Sequence, residues 1–358
     1  MSRKYLFMVH GIGMHANDWD AKWRTAVLAA LKRYAPYSGM SDEELDQEIE
    51  FVPIGYDSIF EELRNEWGDA AGMLNDSGVV SNKPLTKAIE WVQDHGTEDS
   101  ELSQFFWDNV LDVLLWYVFP ICRARVIAHV AEQLATGAKA MYSENEGTNT
   151  AHVLAHSMGT SVAHDSLVSL RYGEEIHEGA FDSTQHKWRS VFMISNTSRL
   201  LRTYTKISDD VDLDEYAPYT SNLKPGSRAS AICMRYANVY HRADPITWPR
   251  RFAPSGWPFS YFDIETVRYD DLKEVHDLEN YLANPKVHLP LLRSVFQRDS
   301  LGTGEEIEAA IKEFERDHPH HAADEFAELR GLLNGDHDKK MNARELAAFL
   351  IKAFKEFK

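Results

Sequence analysis

Ser157 stands in the run Ala155-His156-Ser157-Met158-Gly159, between a short apolar stretch at 151–155 and a helical pattern at 158–170. A serine hydroxyl becomes a nucleophile when it is presented on a sharp turn from a strand into a helix. That turn tolerates only small residues two positions to either side. Ala155 and Gly159 meet this requirement, although alanine replaces the first glycine of the G-x-S-x-G pattern. The competing reading is a serine that caps an ordinary helix. The strand before it and the helix after it favour the nucleophile. Attack by a serine on an acyl carbon also needs two N–H groups for the negative oxygen that forms. One comes from the residue after the nucleophile, here Met158. The other is expected from the glycine loop Val9-His10-Gly11-Ile12-Gly13, with Ile12 as the donor and His10 orienting the loop. The glycine spacing does not fit G-x-x-x-x-G-K-[ST], so the loop is not read as a phosphate cradle.

Such a turn has to be held by a sheet. Strand patterns fall at 5–9, 50–54, 151–155, 188–194, 231–240 and 262–268. Helical spacing is seen at 19–34, with Trp23, Val27 and Leu31 on one face, and from 158 to 170. A further helix or connector begins at 41–48, and helical sequence resumes at 278 with breaks near Pro285 and Pro290. Strands alternating with helices predict an α/β fold whose mostly parallel sheet is covered on both faces. No internal repeat is present.

The run His156-Ser157-Met158-Gly159-Thr160-Ser161-Val162-Ala163-His164-Asp165, together with Val9-His10-Gly11-Ile12-Gly13, resembles the α/β-hydrolase superfamily, and more closely its lipase-like serine esterases. Asn238-Val239-Tyr240-His241-Arg242-Ala243-Asp244-Pro245-Ile246 is similar to their strand followed by an Asp-Pro step. His276-Asp277-Leu278-Glu279-Asn280-Tyr281-Leu282 is similar to their histidine loop and the Tyr-containing helix after it. The resemblance extends in scattered blocks over residues 5–295. It implies the α/β-hydrolase fold, lacking the opening strand pair because the first strand pattern begins at residue 5. It also implies a triad in the chain order Ser157, Asp244, His276. Asp244 would fix the tautomer of His276, and His276 would act as base. The rivals for the acid are Asp263, Asp270 and Asp271, and Asp244 could instead initiate an Asp-Pro turn. His288, within an apolar stretch, and His241 are the rivals for the base.

Domain organisation is read as a catalytic unit over 1–300 and an acidic helical extension over 301–358. The helical insertion at 58–135 is much longer than an ordinary crossover. Its aromatics (Phe105, Phe106 and Trp107, then Trp116, Tyr117 and Phe119) could cap the serine and line an acyl pocket, or pack into the core. A second candidate wall is 248–257, with Trp257-Pro258-Phe259 bordering the entrance. In the extension, Asn334, Asp336, Asp338 and Glu345 have the spacing of a calcium loop. Lys339 stands where that loop needs glycine, so a plain helical hairpin is the preferred reading.

The 358 residues carry 38 basic and 56 acidic side chains, a net charge of −18, which repels phosphate backbones and excludes nucleic acid as the expected partner. Two cysteines, Cys122 and Cys233, are too few for a disulfide scaffold or a thiolate zinc cluster. The most apolar stretch, 110–122, contains Asp112 and Pro120 and is read as a buried or interfacial helix, not a membrane span. With no leader recognised, a reduced cytoplasmic protein is expected, and transient contact with a membrane is left open. The expected activity is hydrolysis of a small-molecule or lipid carboxylic ester through an acyl-enzyme, requiring no metal or organic cofactor. Thioesterase, phospholipase and acyltransferase activities use the same chemistry. The alternative is a non-catalytic binding protein on the same fold.

Overall fold

A computed structural model describes residues 3–11, 18–62, 113, 116, 120–144, 148–172, 187–201, 223–227, 231–247, 251–271 and 274–322. Within it, the first strand, β1 (Lys4–Val9), is buried from Tyr5 to Val9. A strand that is apolar on both faces belongs in the middle of a parallel sheet. The chain then forms α1 (Asp20–Leu31), α2 (Asp42–Asp46) and β2 (Ile49–Ile54). A long helix, α3 (Pro120–Glu144), leads to β3 (Thr150–His156), followed by α4 (Met158–Tyr172) and β4 (Trp188–Ile194). The sheet is completed by β5 (Cys233–His241) and β6 (Tyr261–Thr266). After these come β7 (Arg268–Tyr269), α5 (Leu278–Ala283), α6 (Pro285–Phe296), α7 (Gly304–Asp317) and β8 (His320–His321).

Six strands form one sheet in the order β2-β1-β3-β4-β5-β6, and every pairing is parallel. The fold is therefore α/β, as the alternating patterns predict. Side chains alternate between faces along a strand, and two hydrophobic clusters occupy the two faces. Phe7 and Val9 pack with α3 and α4, whereas Leu6 and Met8 pack with α1, α5 and α6. The burial of each fully enclosed Leu, Val or Phe contributes roughly 1.5–3 kcal/mol, which gives both layers reason to stay on the sheet.

The stretch expected as a cap contributes to this core. Its last residues, 120–135, form the first part of α3, which continues to Glu144 and buries Val126, Val130, Leu134 and Met141 against the sheet. Val113, Trp116 and Cys122 join the same cluster, whereas Ile121 is exposed. Apart from 58–62, the remainder of the insertion lies outside the described residues, as do 248–250 and all of the extension after residue 322, including the loop at 334–345.

Capping chemistry sets several boundaries. Ser41 with Glu44, and Thr303 with Glu306, form reciprocal capping boxes at the starts of α2 and α7. Asn284 caps α6, which opens on Pro285; Pro290 lies inside that helix and does not end it. Among the described residues no helix is long and apolar enough to cross a membrane.

The chain leaves β1 in one direction to reach β2, while β3 lies on β1's other side. Connections diverge at that point and leave a crevice beyond the carboxyl ends of the strands. Ser157 directly follows β3 at this edge, and residues His10 and Gly11 follow β1 beside it.

Candidate active site

Ser157 sits between the last residue of β3 and the first of α4, with φ of 55°. A non-glycine residue in the left-handed region costs of order 1–3 kcal/mol and persists where its surroundings enforce it. Here they do. The Ser157 N–H donates to the Ile194 carbonyl at 3.0 Å, and the Ser157 carbonyl accepts from the Thr160 and Thr197 hydroxyls at 2.6 and 2.9 Å. Gly159 is required for a different reason. A Cβ there would lie 2.0 Å from the carbonyl oxygen of His10 and 2.6 Å from that of Val9, both backbone atoms. A Cβ on Gly11 would meet that of Ser157 at 3.0 Å. The small residues of the motif therefore let the β1 loop and the turn touch backbone to backbone.

The hydroxyl of Ser157 donates to His276 Nε2 at 2.8 Å, and His276 Nδ1 lies 2.9 Å from Asp244 Oδ2. A carboxylate only accepts hydrogen bonds, so Nδ1 carries the proton and the Nε2 lone pair faces the serine. Ser157 and Asp244 are buried, whereas the His276 side chain is 19 % exposed. The three residues singled out in the sequence thus converge, although 119 positions separate Ser157 from His276.

Asp244 is fixed from all sides. Its Oδ1 accepts from the Ile246 N–H at 3.1 Å, and its Oδ2 accepts from the Ser195 hydroxyl at 2.7 Å and the Tyr281 hydroxyl at 2.9 Å. Burial pushes this carboxyl up, but the charge of His276 and the hydrogen bonds from His276, Ser195 and Tyr281 outweigh it and hold Asp244 below the usual range. Burial pushes His276 down, but the Asp244 carboxylate and its hydrogen bond prevail, with Asp277 adding to them, and raise the imidazole above 6.5. Tyr281 is driven well above 10 by burial and then by Asp244, so its hydroxyl stays protonated and remains a donor.

The loop that carries His276 is tied to the turn itself. His156 Nε2 donates to the His276 carbonyl oxygen at 2.7 Å, and the two rings lie 4.9 Å apart. His10 is a structural residue of the neighbouring loop, as its position suggests. It is fully buried, stacks on Tyr56 at 4.3 Å, and the Tyr56 hydroxyl reaches the carbonyls of His10 and Gly11 at 2.8 and 2.6 Å.

Met158, the first expected donor to the oxyanion, begins α4 directly after the serine, where first-turn N–H groups have no partner inside the helix. Ile12, the other expected donor, lies outside the described residues. The rival bases are engaged elsewhere. His288 bonds to the Tyr34 hydroxyl and the Leu282 carbonyl, and burial lowers it to about 4. His241 Nδ1 accepts from the Ala243 N–H, and its Nε2 donates to the Arg268 carbonyl. Asp263 is held by Arg251 and Asn238. Trp257, expected near the entrance, packs on Tyr236, Phe252 and Tyr261, and the exposed Phe259 precedes β6 at the opposite edge of the sheet. No group of three or more His, Cys, Asp or Glu residues among those described is placed to hold a metal ion.

Ser195, the supporting hydroxyl of Tyr281 and the tie from His156 are not specified by sequence spacing. Their only signal is position: Ser195 follows the strand next to β3, and His156 precedes Ser157. Comparison with family models, curated proteins and solved structures gives no match.

Proposed function

We propose that the chain is a serine hydrolase of the α/β-hydrolase fold that cleaves carboxylic esters of small molecules or lipids. The observation carrying this reading is the continuous relay from Ser157 Oγ through His276 to Asp244, at 2.8 and 2.9 Å, on a turn held in a left-handed backbone. In the first half-reaction Ser157 Oγ bonds to the acyl carbon while its proton passes to His276 Nε2. The carbonyl electrons move onto the oxygen, for which the N–H groups of Met158 and Ile12 are the expected donors. When the tetrahedral centre collapses, the alkoxy group leaves with the proton from His276. Water then attacks the acyl-enzyme, gives a proton to the same nitrogen, and the acid departs as Ser157 regains its hydrogen. Asp244 keeps Nδ1–H in place and stabilises the imidazolium, without itself accepting the proton.

A thioesterase or acyltransferase would use the same groups with a different leaving group or acceptor. A non-catalytic scaffold would be favoured by an Asp244 and a His276 out of reach of Ser157, and the distances give it no such support. The test is labelling with a fluorophosphonate beside hydrolysis of short and long p-nitrophenyl esters. Labelling of the wild type that disappears in Ser157→Ala is the expected result. A folded wild type that neither labels nor hydrolyses any ester, with or without detergent, overturns the reading.

A further inference from the structure

Two serines end adjacent parallel strands, Ser157 after β3 and Ser195 after β4. Both have left-handed backbones, with φ of 55° and 51°. Their hydroxyls approach the two nitrogens of one imidazole: Ser157 Oγ is 2.8 Å from His276 Nε2, and Ser195 Oγ is 3.1 Å from His276 Nδ1. Ser195 is fully buried, its N–H is held by the Val239 carbonyl at 2.9 Å, and its hydroxyl donates to Asp244 Oδ2 at 2.7 Å. An ordinary strand-end serine would have no need of a strained backbone. The conformation aims a hydroxyl into the gap between the base and its acid.

We propose that Ser195 is a positioning residue of the relay, resting on the hydrolase reading above. Its hydroxyl donates to Asp244 Oδ2 while its oxygen lone pair faces the Nδ1–H of His276. The proton on Nδ1 therefore has two acceptors. The carboxylate is kept from rotating away as the imidazole becomes charged and neutral in turn. The Tyr281 hydroxyl donates to the same oxygen and is linked to the sheet by accepting from the His241 N–H at 2.9 Å. Ser195 acts entirely through Asp244 and His276; it touches no reacting atom.

Ser195→Gly separates this role from a structural one, because glycine accepts the left-handed backbone without strain. The rate of fluorophosphonate labelling should fall about tenfold, the worth of one hydrogen bond to a charged group. The same substitution on an Asp244→Asn background should cost less than about twofold, since the group through which Ser195 works has already been altered. An equal factor on both backgrounds, or a wild-type rate in Ser195→Gly, overturns the proposal while leaving the hydrolase reading intact. Ser195→Ala, which retains the strain, is the companion variant and should label as slowly as Ser195→Gly. If the wild type neither labels nor hydrolyses any ester, the hydrolase reading fails, and proton NMR of His276 decides the remaining question. A hydrogen-bonded Nδ1–H resonance that moves in Ser195→Gly supports the contact; an unchanged resonance overturns it.

Discussion

Only neutral imidazole can take the proton of Ser157, so labelling should rise with pH as His276 loses its charge. Burial alone would place that loss below 6.5, but the Asp244 carboxylate outweighs it, so the midpoint of the rise should lie above 6.5. Asp244→Asn removes the charge that raises it. Its midpoint should fall, and its plateau should drop by about 10³–10⁴-fold because the asparagine amide can donate to Nδ1 and favour the tautomer whose Nε2 carries the proton. Rates of labelling measured from about pH 5 to 9 bracket this transition. A wild-type midpoint at or below 6.5 would mean that the pair does not act as drawn. The turn at Ser157 could be read from the sequence because its requirements are local, a small residue on either side and a strand and helix around it. Asp244 and His276 needed the resemblance to choose them from several acids and histidines. Ser195 was invisible: its partners are 49 and 81 positions away, and a serine after a strand has no distinguishing spacing.

How closely an element can approach its neighbour depends on what stands at the contact, and three glycines give a graded test. At Gly159, α4 meets the loop after β1, and an added methyl would strike two backbone oxygens. Gly159→Ala should destabilise by about 3 kcal/mol or more, because neither oxygen can turn aside. At Gly137, α3 lies on β1, and a Cβ would come within 2.5 Å of the Phe7 ring, which is buried and backed edge-on by Trp188. A ring can shift where a backbone cannot, so Gly137→Ala should cost about 1–3 kcal/mol. At Gly39 a Cβ meets nothing within 4 Å, and Gly39→Ala should stay within about 0.5 kcal/mol. Urea unfolding of the three variants gives the order, and a Gly159→Ala protein as stable as Gly39→Ala would remove the close contact from the explanation. The strands themselves were readable, since runs such as 5–9 and 191–194 are continuously apolar and too short for a buried helix. The role of 120–135 was not. A buried crossover helix and a cap helix share one apolar periodicity, and only the tertiary contacts of Val126, Val130 and Leu134 decide between them.

With a net charge of −18 the whole molecule titrates many carboxylates in acid, which hides the contribution of any one pair in a plain melting curve. The difference between wild type and Asp244→Asn cancels that background, because every other carboxylate is present in both proteins. Asp244 is held below its unfolded value, so its contribution to stability is present above about 3.8 and is lost as pH falls through the folded value. His276 is raised, so its contribution is complete below 6.5 and is lost as pH rises through the folded value. Between these limits the carboxylate and the imidazolium are charged together. The excess melting temperature of wild type over Asp244→Asn should therefore be largest from about pH 4 to 6.5, and should shrink by about 2 °C or more on either side. At high pH the donors to Asp244, from the neutral His276 Nδ1–H, Ser195, Tyr281 and Ile246, persist, so the excess narrows without vanishing. At low pH it closes further, since the protonated carboxyl no longer attracts the imidazolium. Ser157→Ala should show no comparable window, as its hydroxyl carries no charge at any of these pH values. Scanning calorimetry of the three proteins across the range reads this directly. A difference between wild type and Asp244→Asn that is flat with pH would mean that the pair is not ionised together in the folded protein. The two charges that hold the base in place would then have no part in holding the fold.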